Sequence, residues 1–171
     1  MVATTLQTID VWFKEPTTST DRPTLLSKLA ILELCGWLEV EFDRMIRLVE
    51  AGRLGDLPWV EKYVIKRTSG FSFDGHWRPM LCQVVGEVFA RRVDVAMDAA
   101  HPGELAQLTT SLSKLWKDRC SFAHADMNAN VANTQLTINA PSWTIGQHVT
   151  LVQLLGRYEV VLMTEMAKIT P

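Results

Sequence analysis

The feature that most constrains this chain is an apolar period of three and four residues that recurs in four long segments. In the first segment the apolar side chains alternate at spacings of four and three: Ile31, Cys35, Leu38, Phe42, Met45 and Val49. The charged residues of this segment fall largely elsewhere around the helical wheel. Such a pattern is typical of an amphipathic helix, and it predicts one helix over about residues 24–50.

The same period predicts three further helices, over about residues 80–100, 103–124 and 144–168. The first of these ends at His101-Pro102, because the residue before a proline disfavours the helical conformation. The second carries leucines at spacings of three, four and three: Leu105, Leu108, Leu112 and Leu115. These segments, like the first, should each bury one apolar face.

The remaining segments connect the predicted helices. A short helix is expected around Trp59 to Lys66, and the Asn-rich stretch from 125 to 142 reads as a loop with an extended part. Thr144 and Gln147 have the spacing of a capping box, which predicts that the last helix opens there.

Four long helices with almost no strand pattern predict an all-α fold, a helical bundle of four to five helices. The chain has 171 residues, a length that suits one domain. We expect a lead-in over residues 1–23 and a single helical domain over residues 24–171.

The charge balance limits how this protein can bind nucleic acid. It has 17 basic and 19 acidic residues, for a net charge of −2. A broad basic face is not expected, so any contact with RNA should be local. RNA binding should then depend only weakly on salt, since each phosphate contact contributes roughly −0.7 to the logarithmic slope.

The sequence predicts a cytoplasmic protein without membrane segments. Cys35, Cys82 and Cys120 lie far apart and form no CxxC pair, which favours reduced thiols. The first residues lack a signal-peptide pattern, and no apolar run is long enough to span a bilayer.

Several common catalytic motifs are missing from the sequence. It contains no GxGxxG, GxxxxGK[ST], HExxH, CxxC or GxSxG pattern. The four histidines are scattered, and each reads as a surface or core residue rather than a metal ligand. We therefore expect neither a metal nor a cofactor. The aromatic residues of the loop from Ser69 to Trp77 are expected to pack on the helices rather than to stack on bases.

One charged residue interrupts the leucine stripe. If the stripe continues from Leu115 at spacings of four and then three residues, it reaches Arg119 and Phe122. The pattern therefore predicts a guanidinium on the buried side of the helix. A buried charge needs a partner. A carboxylate, a phosphate or the cleft of a dimer could provide this partner. Alternatively, the aliphatic part of Arg119 extends outward and carries the guanidinium to solvent. The carboxylates considered as partners are Glu39, Glu41 and Glu159.

His124 follows Arg119 by five residues, which separates the two side chains by about 140° on a straight helix. Within KLWKDRCSFAHAD, the segment RCSFAH matches the R-x4-6-H motif of the HEPN superfamily (higher eukaryotes and prokaryotes nucleotide-binding). The segment DRPTLLSKLAILELCGWLEVEFDRMI also resembles the first helix of prokaryotic HEPN proteins of the RiboL-PSP type. This resemblance covers roughly residues 20–168.

The resemblance implies a helical, metal-independent endoribonuclease that acts as a toxin or defence effector. Arg119 would hold the scissile phosphate, and His124 would act as general base or acid. Lys114, Lys117 and Ser121 are the candidate substrate-binding residues. The family also implies RNA as substrate, a homodimer whose two motifs meet at the interface, and an antitoxin or other neutralising protein.

One departure from the family pattern favours a different function. Active members usually carry Asn or Asp directly after the arginine, whereas this chain has Cys120. The alternative is a non-catalytic HEPN-like module that binds a nucleotide or a protein. A third interpretation is a plain helical oligomerisation protein in which Arg119 pairs with an acid.

Overall fold

The computed structural model describes residues 2–51, 55–124 and 139–168. These residues form seven α-helices: α1 Val2–Lys14, α2 Arg22–Ala51, α3 Leu57–Tyr63, α4 Arg78–Val85, α5 Glu87–Ala100, α6 Glu104–His124 and α7 Pro141–Ala167. A 3₁₀ turn, Ile65–Arg67, follows α3, and a π-helical turn, Phe73–Trp77, precedes α4. Within these ranges there is no strand, so the all-α prediction is confirmed, with more helices than the four to five expected.

The lead-in predicted over residues 1–23 contains a complete helix. Leu6 and Ile9 of α1 are buried against Ala30 of α2. Partly buried apolar side chains surround this contact: Val2, Leu26 and Ile145. The first residues are therefore part of the packed structure.

The predicted helix over residues 80–100 is two helices, α4 and α5, divided at Gly86. This glycine has φ 83° and ψ 154°, a conformation that essentially only glycine adopts without strain. Arg78 of α4 spans the break, because its guanidinium pairs with Asp94 and, at 3.3 Å, with Glu87. The apolar period continues through both helices, which is why it did not reveal the break.

The predicted capping box at Thr144 is wrong. α7 begins at Pro141, whose fixed φ suits the first turn of a helix. Thr144 is buried, and its Oγ1 has no hydrogen-bond partner among the described residues. The extended stretch predicted between residues 125 and 142 lies largely outside the described residues.

The chain divides into two compact units. Unit 1 consists of residues 1–37 and 114–150, and unit 2 of residues 38–113 and 151–171. The boundary proposed between residues 23 and 24 stays a prediction.

An aromatic cluster forms much of the core of unit 2. The Trp77 ring stacks on Phe42 at 4.9 Å and meets Tyr158 edge-on at 5.8 Å between centroids. Phe71, Phe73 and Trp77 are all buried. The expectation that the loop from Ser69 to Trp77 packs on the helices is confirmed.

In the part of the chain that the structure describes, no helix combines the length and the apolar character needed to cross a membrane.

Candidate functional site

The candidate site lies on the second half of α6, in unit 1. Leu115 and Phe122 are buried, and Arg119 between them is half-buried. The stripe therefore continues through Arg119, whose side chain is partly buried. Cys120, beside it, is also half-buried.

Arg119 contacts the indole of Trp116, one turn earlier on α6. Its Cζ lies 5.3 Å from the ring centroid. A guanidinium near the face of an aromatic ring is attracted to it electrostatically. Trp116 therefore orients Arg119, the residue predicted to hold the phosphate.

The three candidate substrate-binding residues lie on another face of α6. Lys114, Lys117 and Ser121 are exposed and follow one another at spacings of three and four. Lys114 and Arg119 are about 140° apart around the helix axis. The structure therefore brings these three residues together with one another but not with Arg119.

Lys114 reaches the neighbouring helix instead. Its Nζ lies 4.9 Å from the ring centroid of Trp143 on α7. One turn after Lys114, burial raises the pKa of the Asp118 carboxyl, while the Lys114 charge opposes this shift. This face of α6 therefore carries an acid as well as bases, which reduces its attraction for phosphate.

His124 is the last residue of α6. Its side chain lies outside the described residues, so the predicted pairing of Arg119 with His124 stays a prediction.

A second histidine in unit 1 has a defined environment that the sequence did not reveal. The His148 ring on α7 meets the Trp37 indole of α2 edge-on, at 4.8 Å between centroids. Burial lowers the pKa of His148, so this imidazole is neutral at pH 7. No local motif marks this residue, because its partner lies more than a hundred residues away in the sequence.

Two of the carboxylates considered as partners of Arg119 bind another arginine. Glu41 accepts from Arg44 at 2.6 Å, and Glu159 pairs with the same guanidinium, all within unit 2. The hydrogen bonding that Arg44 donates to Glu159 is the main cause of the raised pKa of Arg44. Glu39 is half-buried on the same helix.

Across residues 2–51, 55–124 and 139–168, no group of three histidine, cysteine, aspartate or glutamate side chains is placed to hold a metal ion.

Comparison with other proteins adds no relative: no family model, curated protein or solved structure matches this chain. Membership of the HEPN superfamily therefore stays a prediction from RCSFAH and its place at the end of α6.

Proposed function

We propose that this protein is a metal-independent endoribonuclease of the HEPN type that acts as a toxin or defence effector. The observation that carries the proposal is the half-buried Arg119 near the end of α6, five residues before His124. A partly buried guanidinium held against an indole is suited to bind a phosphate.

The proposed reaction needs only these two side chains and the RNA itself. His124 accepts the proton of a ribose 2′-hydroxyl, and the 2′-oxygen attacks the adjacent phosphorus. The bond from phosphorus to the 5′-oxygen breaks, and that oxygen takes up the proton that His124 carries, which returns the imidazole to its neutral form. Arg119 stabilises the charge on the phosphoryl oxygens. The products are a 2′,3′-cyclic phosphate and a free 5′-hydroxyl.

The proposal includes a cytoplasmic homodimer and an antitoxin or other neutralising protein. The spacing of Arg119 and His124 favours the dimer. Two side chains about 140° apart on one helix converge poorly, whereas residues from two subunits meet readily at a symmetric interface.

The test compares RNA degradation by the purified wild-type protein and by His124→Ala and Arg119→Ala, all in EDTA. The matched control is His101→Ala, because His101 is a half-buried histidine at the end of α5. We expect cleavage by the wild type and the control only, with a cyclic phosphate at the new 3′ end. A 2′-deoxy nucleotide at the cleavage site should block the reaction.

Mixing the two inactive variants tests the composite dimer site. If Arg119 and His124 come from different subunits, mixed dimers regain one complete site, and the mixture recovers about a quarter of the wild-type activity. Cleavage that survives both single substitutions would contradict the proposed mechanism.

Cys120 supports the second candidate function, a non-catalytic module that binds a nucleotide or a protein. A thiol is a weak hydrogen-bond donor and orients its neighbours poorly. Cys120→Asn distinguishes the two functions: a weak nuclease should become more active, whereas a binding module should stay inactive on RNA.

A further inference from the structure

An aromatic and basic cluster lies in unit 2, on α3 and the 3₁₀ turn that follows it. Trp59 and Tyr63 are one helical turn apart, and their ring centroids lie 5.7 Å from each other at an interplanar angle of 38°. The Trp59 side chain is 42% exposed, although tryptophan is usually well buried. The protein thus presents an aromatic surface to solvent at this point.

Two basic side chains lie over the Tyr63 ring. Lys62 Nζ lies 4.9 Å from the Tyr63 centroid, and Arg67 Cζ lies 4.8 Å from the same centroid. Lys66 is exposed between them in the sequence. The five side chains Trp59, Lys62, Tyr63, Lys66 and Arg67 are called here the α3 platform.

The acid inside the same segment, Glu61, interacts mainly with Arg47 of α2 and less with Lys66 of the α3 platform. Glu61 is held by Arg47 of α2, with Nε and Oε1 2.6 Å apart. The hydrogen bond from Arg47 is the main cause of the lowered pKa of Glu61. Among the ion pairs between described residues, none includes a basic residue of the α3 platform: Lys62, Lys66 and Arg67.

The segment that carries the α3 platform is fixed before any ligand binds. Val60, Val64 and Ile65 point inward and are buried. Asp56 caps α3, because its carboxylate accepts from the Trp59 backbone N–H at 3.1 Å. Binding at this surface therefore requires little ordering of the backbone.

We propose that the α3 platform binds single-stranded nucleic acid. Bases stack on exposed aromatic rings, and basic side chains beside the rings bind the phosphates. An acidic protein would use the charges but would leave the exposed indole unexplained, so the combination favours a ligand that has both flat rings and anions. The expected ligand is RNA, because this inference rests on the proposed ribonuclease function. Base stacking and phosphate binding would accommodate single-stranded DNA equally well.

The experiment measures fluorescence anisotropy of a short labelled uridine strand with the full-length protein carrying His124→Ala, so that cleavage does not interfere. Parallel samples contain a thymidine strand, an RNA duplex, or polyglutamate as competitor. The test variants are Trp59→Ala and the triple variant Lys62→Gln, Lys66→Gln and Arg67→Gln.

The matched controls are Trp12→Ala, since Trp12 is 44% exposed on α1, and Arg91→Gln, an exposed arginine on α5. Trp59→Phe is a second variant that keeps a ring able to stack, and it should retain binding.

We expect Trp59→Ala to weaken binding about 5-fold or more, as loss of one stacked base predicts. The triple variant should weaken it further, and the controls should match the parent. Comparing the uridine and thymidine strands then shows which nucleic acid is preferred.

Equal affinity of the parent and the triple variant would overturn the inference. Equal affinity for duplex and single strand, or tighter binding of polyglutamate through the same residues, would also overturn it. The outcomes separate the two proposals. Equal strand affinity of the parent and the triple variant rejects the platform alone when the wild-type protein still cleaves RNA, whereas strand binding by a protein whose wild type never cleaves RNA rejects the nuclease alone.

Discussion

Tyr158 illustrates how the environment of one residue sets its chemistry. Its ring is fully buried among aromatic side chains of unit 2, and its hydroxyl donates to Asp94 Oδ1 at 3.2 Å. Burial raises the pKa of Tyr158 to about 12, because the phenolate would lose its hydration. Asp94 in turn pairs with Arg78, so the hydroxyl completes a network across the break between α4 and α5.

This raised pKa predicts a loss of stability in alkali. Between the ordinary tyrosine pKa near 10 and the folded value of about 12, the unfolded chain releases the proton while the folded chain keeps it. The contribution of Tyr158 to the free energy of unfolding should be constant below the ordinary value and fall as the pH rises through this window.

Absorbance at 295 nm measures the ionisation directly. The chain has two tyrosines, so in Tyr63→Phe the remaining signal comes from Tyr158 alone. Its midpoint should lie about two pH units above that of free tyrosine, with circular dichroism confirming that the protein stays folded. A midpoint equal to that of free tyrosine in the folded protein would contradict this prediction.

Single residues of the candidate site were predictable only in part. The leucine stripe correctly placed Arg119 as a partly buried residue between the buried Leu115 and Phe122. The same period cannot identify a partner on another helix, and the contacts of Lys114 with Trp143 and of His148 with Trp37 followed from no motif. Periodicity fixes the angle of a side chain around its own helix, whereas its neighbours depend on how helices pack.

The break between α4 and α5 depends on the conformation of Gly86. A side chain at this φ and ψ is strained even though an added Cβ would meet no atom within 4 Å. Gly86→Ala should therefore lower the free energy of unfolding by about 1–3 kcal/mol, as measured by urea denaturation.

Gly36→Ala is the matched control for Gly86→Ala. Gly36 is exposed inside α2, has helical backbone angles, and also has open space around an added Cβ. Alanine there should raise the free energy of unfolding by about 0.5–1 kcal/mol, because alanine is the better helix former. If the two substitutions had the same effect, the strain at Gly86 would not be the cause.

Whole helices were easier to predict than their ends. The long periodic segments correspond to α2, α6 and α7, because many apolar positions specify each of them. The start of α7 and the break at Gly86 depend on one residue each. α1 was missed as a full helix because its few buried residues, Leu6 and Ile9, find their partner Ala30 on α2. Short helices depend on such tertiary contacts for their stability.

At the scale of the whole molecule, the net charge of −2 conceals a local concentration of positive charge. Three basic residues of the α3 platform fall within the six positions 62–67, and the adjacent acid Glu61 is paired with Arg47. The net charge adds these charges to all the others and so does not show that they lie close together. A near-neutral protein can therefore bind a strand at one place without a basic face.

The charge distribution predicts the salt dependence of strand binding. Three phosphate contacts on the α3 platform should give a slope of about −2 for the logarithm of the binding constant against the logarithm of salt concentration. Anisotropy titrations at several salt concentrations measure this slope. The triple variant should bind weakly and with a slope shallower by about 2. Trp59→Ala should bind weakly with the slope unchanged, because stacking releases no counterions. A slope about twice as steep, or one that the triple variant retains, would show that phosphates bind elsewhere on the molecule.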